Sequence, residues 1–371
     1  MIAPARRVAV QVVRRVFEDD AYADRTFAGA AGKLDARDRA LAQRIAYGTV
    51  QRVRTIDHGI DALGRRPIRK LDPAVVAALR VAAYELGWSE APAHAVADDA
   101  VELVREARLE RATGFTNAVC RRLSEGFREL VASLPEGPLK HSYPDWVHDV
   151  WVRDFGEEEA LALEQAQNEP PPLAEYRGMS RASRLAAEVV GSREGERVLD
   201  ACAAPGNKTL LLEGEVTAVE ANPGRARLLA ERVSAAGHIR VVTADVRELD
   251  ESGFDRALVD APCSGLGVLN RRPDLRWRSH PLPELQLELL HAAAERTRPG
   301  GTIVYSVCTL NADENEAIVD ASGLEPEPLG DEWPEFAHPK RREFLLTMPH
   351  RHATSGFFIA RLRAAAGTSA A

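Results

Sequence analysis

The sequence predicts two architectures in series, an all-helical bundle over residues 1–130 and a doubly wound α/β sheet over residues 173–364. Three observations carry this reading. Apolar residues recur at three- and four-residue spacing through the first 130 positions, and Asn168-Glu169-Pro170-Pro171-Pro172 then breaks any helix. From Val198 onward, short apolar runs alternate with helical stretches, the pattern of a parallel sheet flanked by helices. The length of 371 residues suits two domains of about 150 residues each with a connection between them.

In the helical half, Ala9, Val12, Val13, Val16 and Phe17 share one face of an opening helix. Asp35 begins a second, with Leu41, Ile45, Thr49 and Val53 at helical spacing. Asp72-Pro73 joins an N-cap to a proline at the first helical position and opens the run 75–86, which Gly87 should close. Further helices are expected over 94–109 and 113–123, and residues 131–172 read as a helical linker with Glu157-Glu158-Glu159 on a solvated face. In the second half, 216–219, 239–243, 257–259 and 302–307 read as strands and 226–233 and 285–298 as helices. Residues 357–362 should form a closing edge strand, with 365–371 a disordered tail.

With 45% hydrophobic and 28% charged residues, this is the composition of an ordinary globular protein. No apolar run approaches the ~18 residues of a membrane span. Residues 1–7 lack the apolar stretch of a secretory signal. Cys120, Cys202, Cys263 and Cys308 lie far apart with no C-x-x-C pair, which argues against a disulfide framework or a zinc site. The expectation is a monomeric, cytoplasmic protein with no metal and no membrane association. Net charge is −8, yet residues 1–130 carry 22 Lys and Arg against 18 Asp and Glu, while the remainder carries 26 against 38. That asymmetry permits an RNA-facing amino-terminal half without requiring one.

The chain is organised around Val198-Leu199-Asp200-Ala201-Cys202-Ala203-Ala204-Pro205-Gly206-Asn207-Lys208, which reads as a buried strand, a tight loop and the start of a helix. Such corners bind nucleotides at the carboxyl ends of strands in doubly wound folds, although one alone is equally a plain turn. Glu220 follows Asp200 by twenty residues, at the tip of the next strand, where an acid accepts from ribose hydroxyls. Asp245 should end the third strand, facing an adenine edge, and Asp260 the fourth. No G-x-G-x-x-G loop is present, so a dinucleotide is disfavoured. S-adenosyl-L-methionine, which has an adenosine and a charged amino acid but no phosphate, fits better.

Two cysteines follow consecutive strands: Cys263 after the fourth and Cys308 after the fifth. Each alone would more often be a small buried residue. Together beside Asp260 they suggest covalent catalysis. Carbon 5 of cytosine is a poor nucleophile until a thiolate adds at carbon 6, and an acid beside the ring nitrogen favours that addition. A base must afterwards remove the carbon 5 proton so that the thiol can leave. Cys308, Asp260 and Cys263 offer these groups.

Leu71-Asp72-Pro73, Ala83-Tyr84-Glu85-Leu86, Pro92-Ala93-His94 and 114–122 (GFTNAVCRR) resemble the NusB-like domain that precedes certain ribosomal RNA methyltransferases. Residues 200–206 (DACAAPG), 260–265 (DAPCSG), Arg272-Pro273-Asp274 with Trp277, Cys308 with Glu314-Asn315, and Gly356-Phe357-Phe358 resemble the bacterial 16S ribosomal RNA cytosine-5 methyltransferase B family, the Sun/Fmu type. The resemblance implies a Rossmann-like class I S-adenosylmethionine-dependent methyltransferase domain after the NusB-like bundle. The cofactor would be held by Cys202, Ala203, Ala204, Pro205, Gly206, Asn207, Lys208, Glu220, Asp245 and Asp260. It makes Cys308 the nucleophile and Cys263 the helper in product release, and 16S ribosomal RNA the substrate. The same chemistry on another RNA such as transfer RNA, or a non-catalytic RNA- or protein-binding adaptor, are the alternatives.

The chain departs from the family pattern at Asn207, where a second glycine is usual, at Val307 for threonine and at Ser355 for aspartate. Residues 173–197 are too few for the small additional subdomain the family carries there. Residues 208–214 leave room for a first helix of barely two turns.

Overall fold

The computed structural model describes residues 2–172 and 179–365, which form two compact units. The first comprises residues up to Asn168 together with Arg272–Arg278; the second holds the rest. The expected disordered tail lies, apart from Ala365, outside the described residues, as do residues 173–178 of the shortened segment.

The first unit is helical: α1 (Pro4–Glu18), α2 (Ala23–Ala30), α3 (Ala36–Gln51), α4 (Val53–Gly64), α5 (Pro73–Trp88), α6 (Ala93–Glu106), α7 (Glu110–Ser133), α8 (Pro138–His141), α9 (Asp145–Phe155) and α10 (Glu157–Ala166). Both acids read as N-caps act as such. Asp35 accepts from the Asp38 N–H at 2.8 Å and Asp72 from the Ala74 N–H at 2.9 Å. The face read on α1 is buried in one apolar cluster with Phe27, Ile45 and Val50. Arg6 holds α1 down, bonding bidentately to the buried Glu85 of α5 and also to Asp99 of α6.

Four features depart from the sequence reading here. The helix α2 had no capping signature in the sequence, because Tyr22 precedes it and provides no side-chain cap. Gly87 does not end α5, which continues to Trp88. Its role is proximity: a Cβ on Gly87 would stand 2.9 Å from the Phe127 ring, and one on Gly59 2.2 Å from the same ring. Phe127 of α7 therefore fills a slot between α4 and α5, and α7 runs ten residues beyond the expected end to bury it. Residues 131–168, read as a linker, belong to this helical unit.

Arg272–Arg278 enters the first unit from far along the chain. Arg276 is fully buried, and its guanidinium donates to the carbonyls of Gln51, His141, Ser142 and Gln167 at 2.9–3.4 Å while stacking 3.8 Å from the centre of the Tyr143 ring. Gln51 ends α3, His141 ends α8 and Gln167 caps α10, so one cation meets three helix carboxyl ends. Trp277 adds a bond from Nε1 to the Val50 carbonyl at 2.7 Å.

The second unit is an eight-stranded sheet in the order β3-β2-β1-β4-β5-β8-β6, with β7 also on β8. The strands are β1 (Arg197–Asp200), β2 (Glu215–Val219), β3 (Ile239–Val242), β4 (Phe254–Asp260), β5 (Thr297–Val307), β6 (Glu325–Glu327), β7 (Leu345–Thr347) and β8 (Phe357–Arg363). From β3 to β5 all pairings are parallel; β8 is antiparallel to β5, β6 and β7. Residues 357–362 are thus an inner strand and not the expected edge, because β6 and β7, too short to read from sequence, cover the outer side of β8. The helices Arg181–Val190, Pro223–Val233 and Pro283–Arg296 pack on this sheet, and the first contributes Leu185, Val189 and Val190 to its core.

Candidate active site

At the carboxyl end of β1 the chain turns through Ala201–Gly206, pinned by an Ala203 N–H bond to the Val219 carbonyl at 2.9 Å and a Gly206 N–H bond to Ala203 at 2.7 Å. Gly206 takes a φ of +95°, and a Cβ there would meet Leu229 at 2.8 Å, so glycine is needed on both counts. Asn207 is not among the described residues with positive φ, which is why an asparagine is accommodated in place of a second glycine. The first helix shrinks further than expected, to a single 3-10 turn over Thr209–Leu211.

Asp200 is 1% exposed, and Thr209 Oγ1 donates to its Oδ2 at 2.7 Å while Oδ1 has no protein partner. Burial, assisted by the charge of Asp260, pushes its carboxyl up to about 7. The Cys202 thiol is likewise pushed up, by burial and then by Asp200, Asp260 and Glu220. Three carboxylates at successive strand ends therefore converge on one loop. A buried acceptor without a partner and a surplus of negative charge suit a cationic, amino-acid-bearing ligand, so these residues fit a sulfonium cofactor.

Glu220, immediately after β2, is 6% exposed; it accepts from the Asn222 N–H at 2.9 Å and pairs with Arg225 at 3.3 Å. Asp245 does not end β3. That strand stops at Val242, and Asp245 instead caps the turn Val246–Glu248, with Arg247 at 2.7 Å holding its carboxyl below the usual range. Asp260 ends β4 as expected. Its Oδ2 receives the Lys208 ammonium at 2.7 Å and its Oδ1 the Ser306 hydroxyl at 2.9 Å.

Cys263 Sγ lies 3.4 Å from Cys308 Sγ. Hydrogen bonding to Cys308, burial, and the charges of Cys308 and Glu314 hold the Cys263 thiol well above its ordinary range. The loop after Cys263 is fastened to the strand end carrying Cys308, since the Gly267 N–H donates to the Cys308 carbonyl at 3.0 Å. Val307 is buried and pairs with Phe358 across β5 and β8. The sheet thus brings together Asp200, Cys202, Lys208, Glu220, Asp260, Cys263 and Cys308, with Asp245 off the strand tip. Sequence reasoning overlooked Ser306, legible only as the β5 neighbour of Asp260, and Gln286, which donates to the Pro262 carbonyl at 2.8 Å from the first turn of the helix Pro283–Arg296. Among the described residues there is no cluster of His, Cys, Asp and Glu able to hold a metal, and no helix is long and apolar enough to cross a membrane.

Comparison with known proteins gives two matching family models: 16S rRNA methyltransferase RsmB/F over residues 187–363, and the NusB family over residues 3–125. A ribosomal RNA small subunit methyltransferase B from Thermus thermophilus is 33% identical, covering 88% of this chain and 89% of that protein. A Mycobacterium tuberculosis relative named as a methyltransferase is 31% identical, covering 97% of this chain and 96% of its own; that alignment runs over 443 positions, so the relative carries residues this shorter chain lacks. In fold, the crystal structure of PH0851 matches with a TM-score of 0.77 at 21% identity over 98% of this chain and 99% of that one.

Proposed function

The chain belongs to the 16S rRNA methyltransferase RsmB/F family, and from that membership together with the site geometry we propose that it forms 5-methylcytosine in 16S ribosomal RNA through a covalent bond between Cys308 and the base. The observation that carries the reading is the thiol pair 3.4 Å apart at the ends of β4 and β5, beside Asp260. The cofactor is S-adenosylmethionine, which when bound supplies an electrophilic methyl group. Asp200, Glu220, Asp245 and the loop 202–208 would hold it.

Cys308 attacks as the thiolate, with Cys263 donating to its sulfur. The new C6–S bond pushes charge onto the ring, where the Asp260–Lys208 pair lends a proton to the ring nitrogen and takes it back once carbon 5 has accepted the methyl group. Carbon 5 then carries the electron pair that takes the methyl group. Bonding to carbon 6 removes the negative charge on Cys308 that had raised Cys263, so Cys263 can now release its proton to solvent. The Cys263 thiolate takes the carbon 5 proton, the C5=C6 bond re-forms, and Cys308 leaves as the thiolate it began as. Both sulfurs return to their starting protonation.

Bisulfite sequencing of ribosomal and transfer RNA, from cells with and without this protein, tests the reading. A 16S cytosine protected only when the protein is present is expected. Protection confined to transfer RNA overturns the substrate, and methylation elsewhere than carbon 5 overturns the chemistry.

A further inference from the structure

Glu314 lies six residues beyond Cys308 in the turn after β5 and is 0% exposed. Its Oε1 accepts from the Ser264 N–H at 2.9 Å, the Leu282 N–H at 3.2 Å and Gln286 Nε2 at 2.9 Å. Its Oε2 accepts from the Ser264 hydroxyl and, at 3.4 Å, from Thr309 Oγ1 and Asn311 Nδ2. None of these donors is a cation. The carboxylate is neutralised by short dipoles, and all of them point inward, an arrangement only an acceptor-only side chain satisfies.

The donors are not scattered through the fold. Ser264 follows Cys263, Thr309 follows Cys308, and the two hydroxyls also meet each other at 2.7 Å. Gln286, bonded to Glu314, reaches the Pro262 carbonyl on the other side of Cys263. Tyr305, on the strand leading to Cys308, donates its hydroxyl to the Glu314 carbonyl at 2.7 Å. The backbone on both sides of each cysteine is therefore tied, directly or through one side chain, to a single residue. Besides Glu314, the two loops are joined by the β4–β5 ladder and by the Gly267 N–H bond to the Cys308 carbonyl, neither of which holds the residues that flank Cys263.

We propose that Glu314 is a positioning residue that clamps the Cys263 loop and the Cys308 loop together and so fixes the two thiols relative to each other. This rests on the reading of Cys263 and Cys308 as the working pair of the methyltransferase site. Glu314 touches neither sulfur nor the cofactor loop; it acts through Ser264, Thr309 and Gln286. Its charge also contributes to holding Cys263 as a neutral thiol.

The experiment uses full-length protein without RNA, so that thiol geometry is read independently of any substrate. Diamide accepts two electrons and two protons from a pair of adjacent thiols and leaves a disulfide. The rate of Cys263–Cys308 disulfide formation, followed by peptide mass spectrometry, therefore reports their proximity. S-adenosylhomocysteine affinity, measured by calorimetry, reports whether the sheet and cofactor loop are intact. For Glu314→Gln, which turns an amide donor toward the inward donors, the disulfide rate should fall about tenfold or more. Affinity should stay within about twofold, since the cofactor loop makes no contact with Glu314. Glu314→Asp should recover part of the rate. An unchanged disulfide rate in Glu314→Gln overturns the proposal. Should that variant lose S-adenosylhomocysteine binding, Ser264→Ala decides: it removes one clamp donor and keeps the carboxylate, so a slowed disulfide rate supports the clamp and an unchanged one overturns it. Methylated-base analysis on the same variants separates the two readings. Fast disulfide formation in Glu314→Gln with intact 5-methylcytosine synthesis sinks the clamp alone; a slowed rate in a protein whose wild type makes no 5-methylcytosine sinks only the proposed reaction.

Discussion

The Lys208 ammonium sits 2.7 Å from Asp260 Oδ2 and 5.0 Å from the centre of the Phe357 ring, so the loop that follows β1 is bonded to the last residue of β4. The ion pair is mostly shielded, with Lys208 11% and Asp260 29% exposed at their side chains. Removing one partner leaves the other charge under-compensated, at a cost of about 1–3 kcal/mol. Lys208→Met should therefore lower single-turnover methyl transfer by ~10- to 100-fold. A loss below twofold would mean the pair is a surface contact with no part in the reaction.

The two thiols separate by the order of their steps. Cys308→Ala should stop the reaction before any protein–RNA bond forms. Cys263→Ala should allow attack and methyl transfer but slow elimination, so that protein accumulates joined to methylated RNA as a denaturant-resistant band. The double variant should show no band. The reverse pattern, an adduct in Cys308→Ala and none in Cys263→Ala, would exchange the roles.

Asp200 gives the stability of the second unit a defined pH dependence. Its carboxyl is raised from 3.8 unfolded to about 7 folded, so between those values the native state binds more protons than the unfolded state. The favourable contribution is complete below pH ~4 and is lost as pH rises to ~7, amounting to about 4 kcal/mol over the whole window. Asp200→Asn, which cannot ionise, should lack this loss. Urea denaturation of both proteins from pH 5 to 8 should show the stability difference shifting in favour of the variant; parallel profiles would place the Asp200 titration elsewhere.

Arg276 closes α3, α8 and α10 with one guanidinium, and burial lowers its pKa to about 10, which leaves it charged at neutral pH. Arg276→Ala takes the guanidinium from four carbonyls and the Tyr143 ring face; the Gln167 carbonyl keeps Gln51 Nε2 and the His141 carbonyl keeps Asn168 Nδ2, so the loss falls on the Gln51 and Ser142 carbonyls and should destabilise the helical unit by about 2–6 kcal/mol. Four of the five tryptophans, Trp88, Trp146, Trp151 and Trp277, lie in that unit, so tryptophan fluorescence during denaturation follows it. A change under about 1 kcal/mol would show that the helix ends find other partners.

The sequence by itself determined the order of the two architectures, the N-caps at Asp35 and Asp72, the acids Asp200 and Glu220 at their strand tips, Asp260 at the end of β4, and both cysteines. These are local statements: capping, periodicity and strand ends are set by residues within a few positions of one another. Tertiary structure alone decided the rest. Gly87 is a contact with Phe127, not a helix stop, because its lack of a side chain is used by another helix. Residues 357–363 are an inner strand because β6 and β7, three residues each, gain their stability from the ladder they join and have no pattern of their own. Arg276 reads as one basic residue in a short motif, and only the fold delivers three helix ends to it. Glu314 likewise becomes a hub only when β4 and β5 lie side by side, since its donors come from Ser264, Leu282, Gln286 and Thr309, up to 50 residues away. Spacing along the chain carries the chemistry of single residues, whereas a buried charge satisfied by distant dipoles is defined by long-range packing alone.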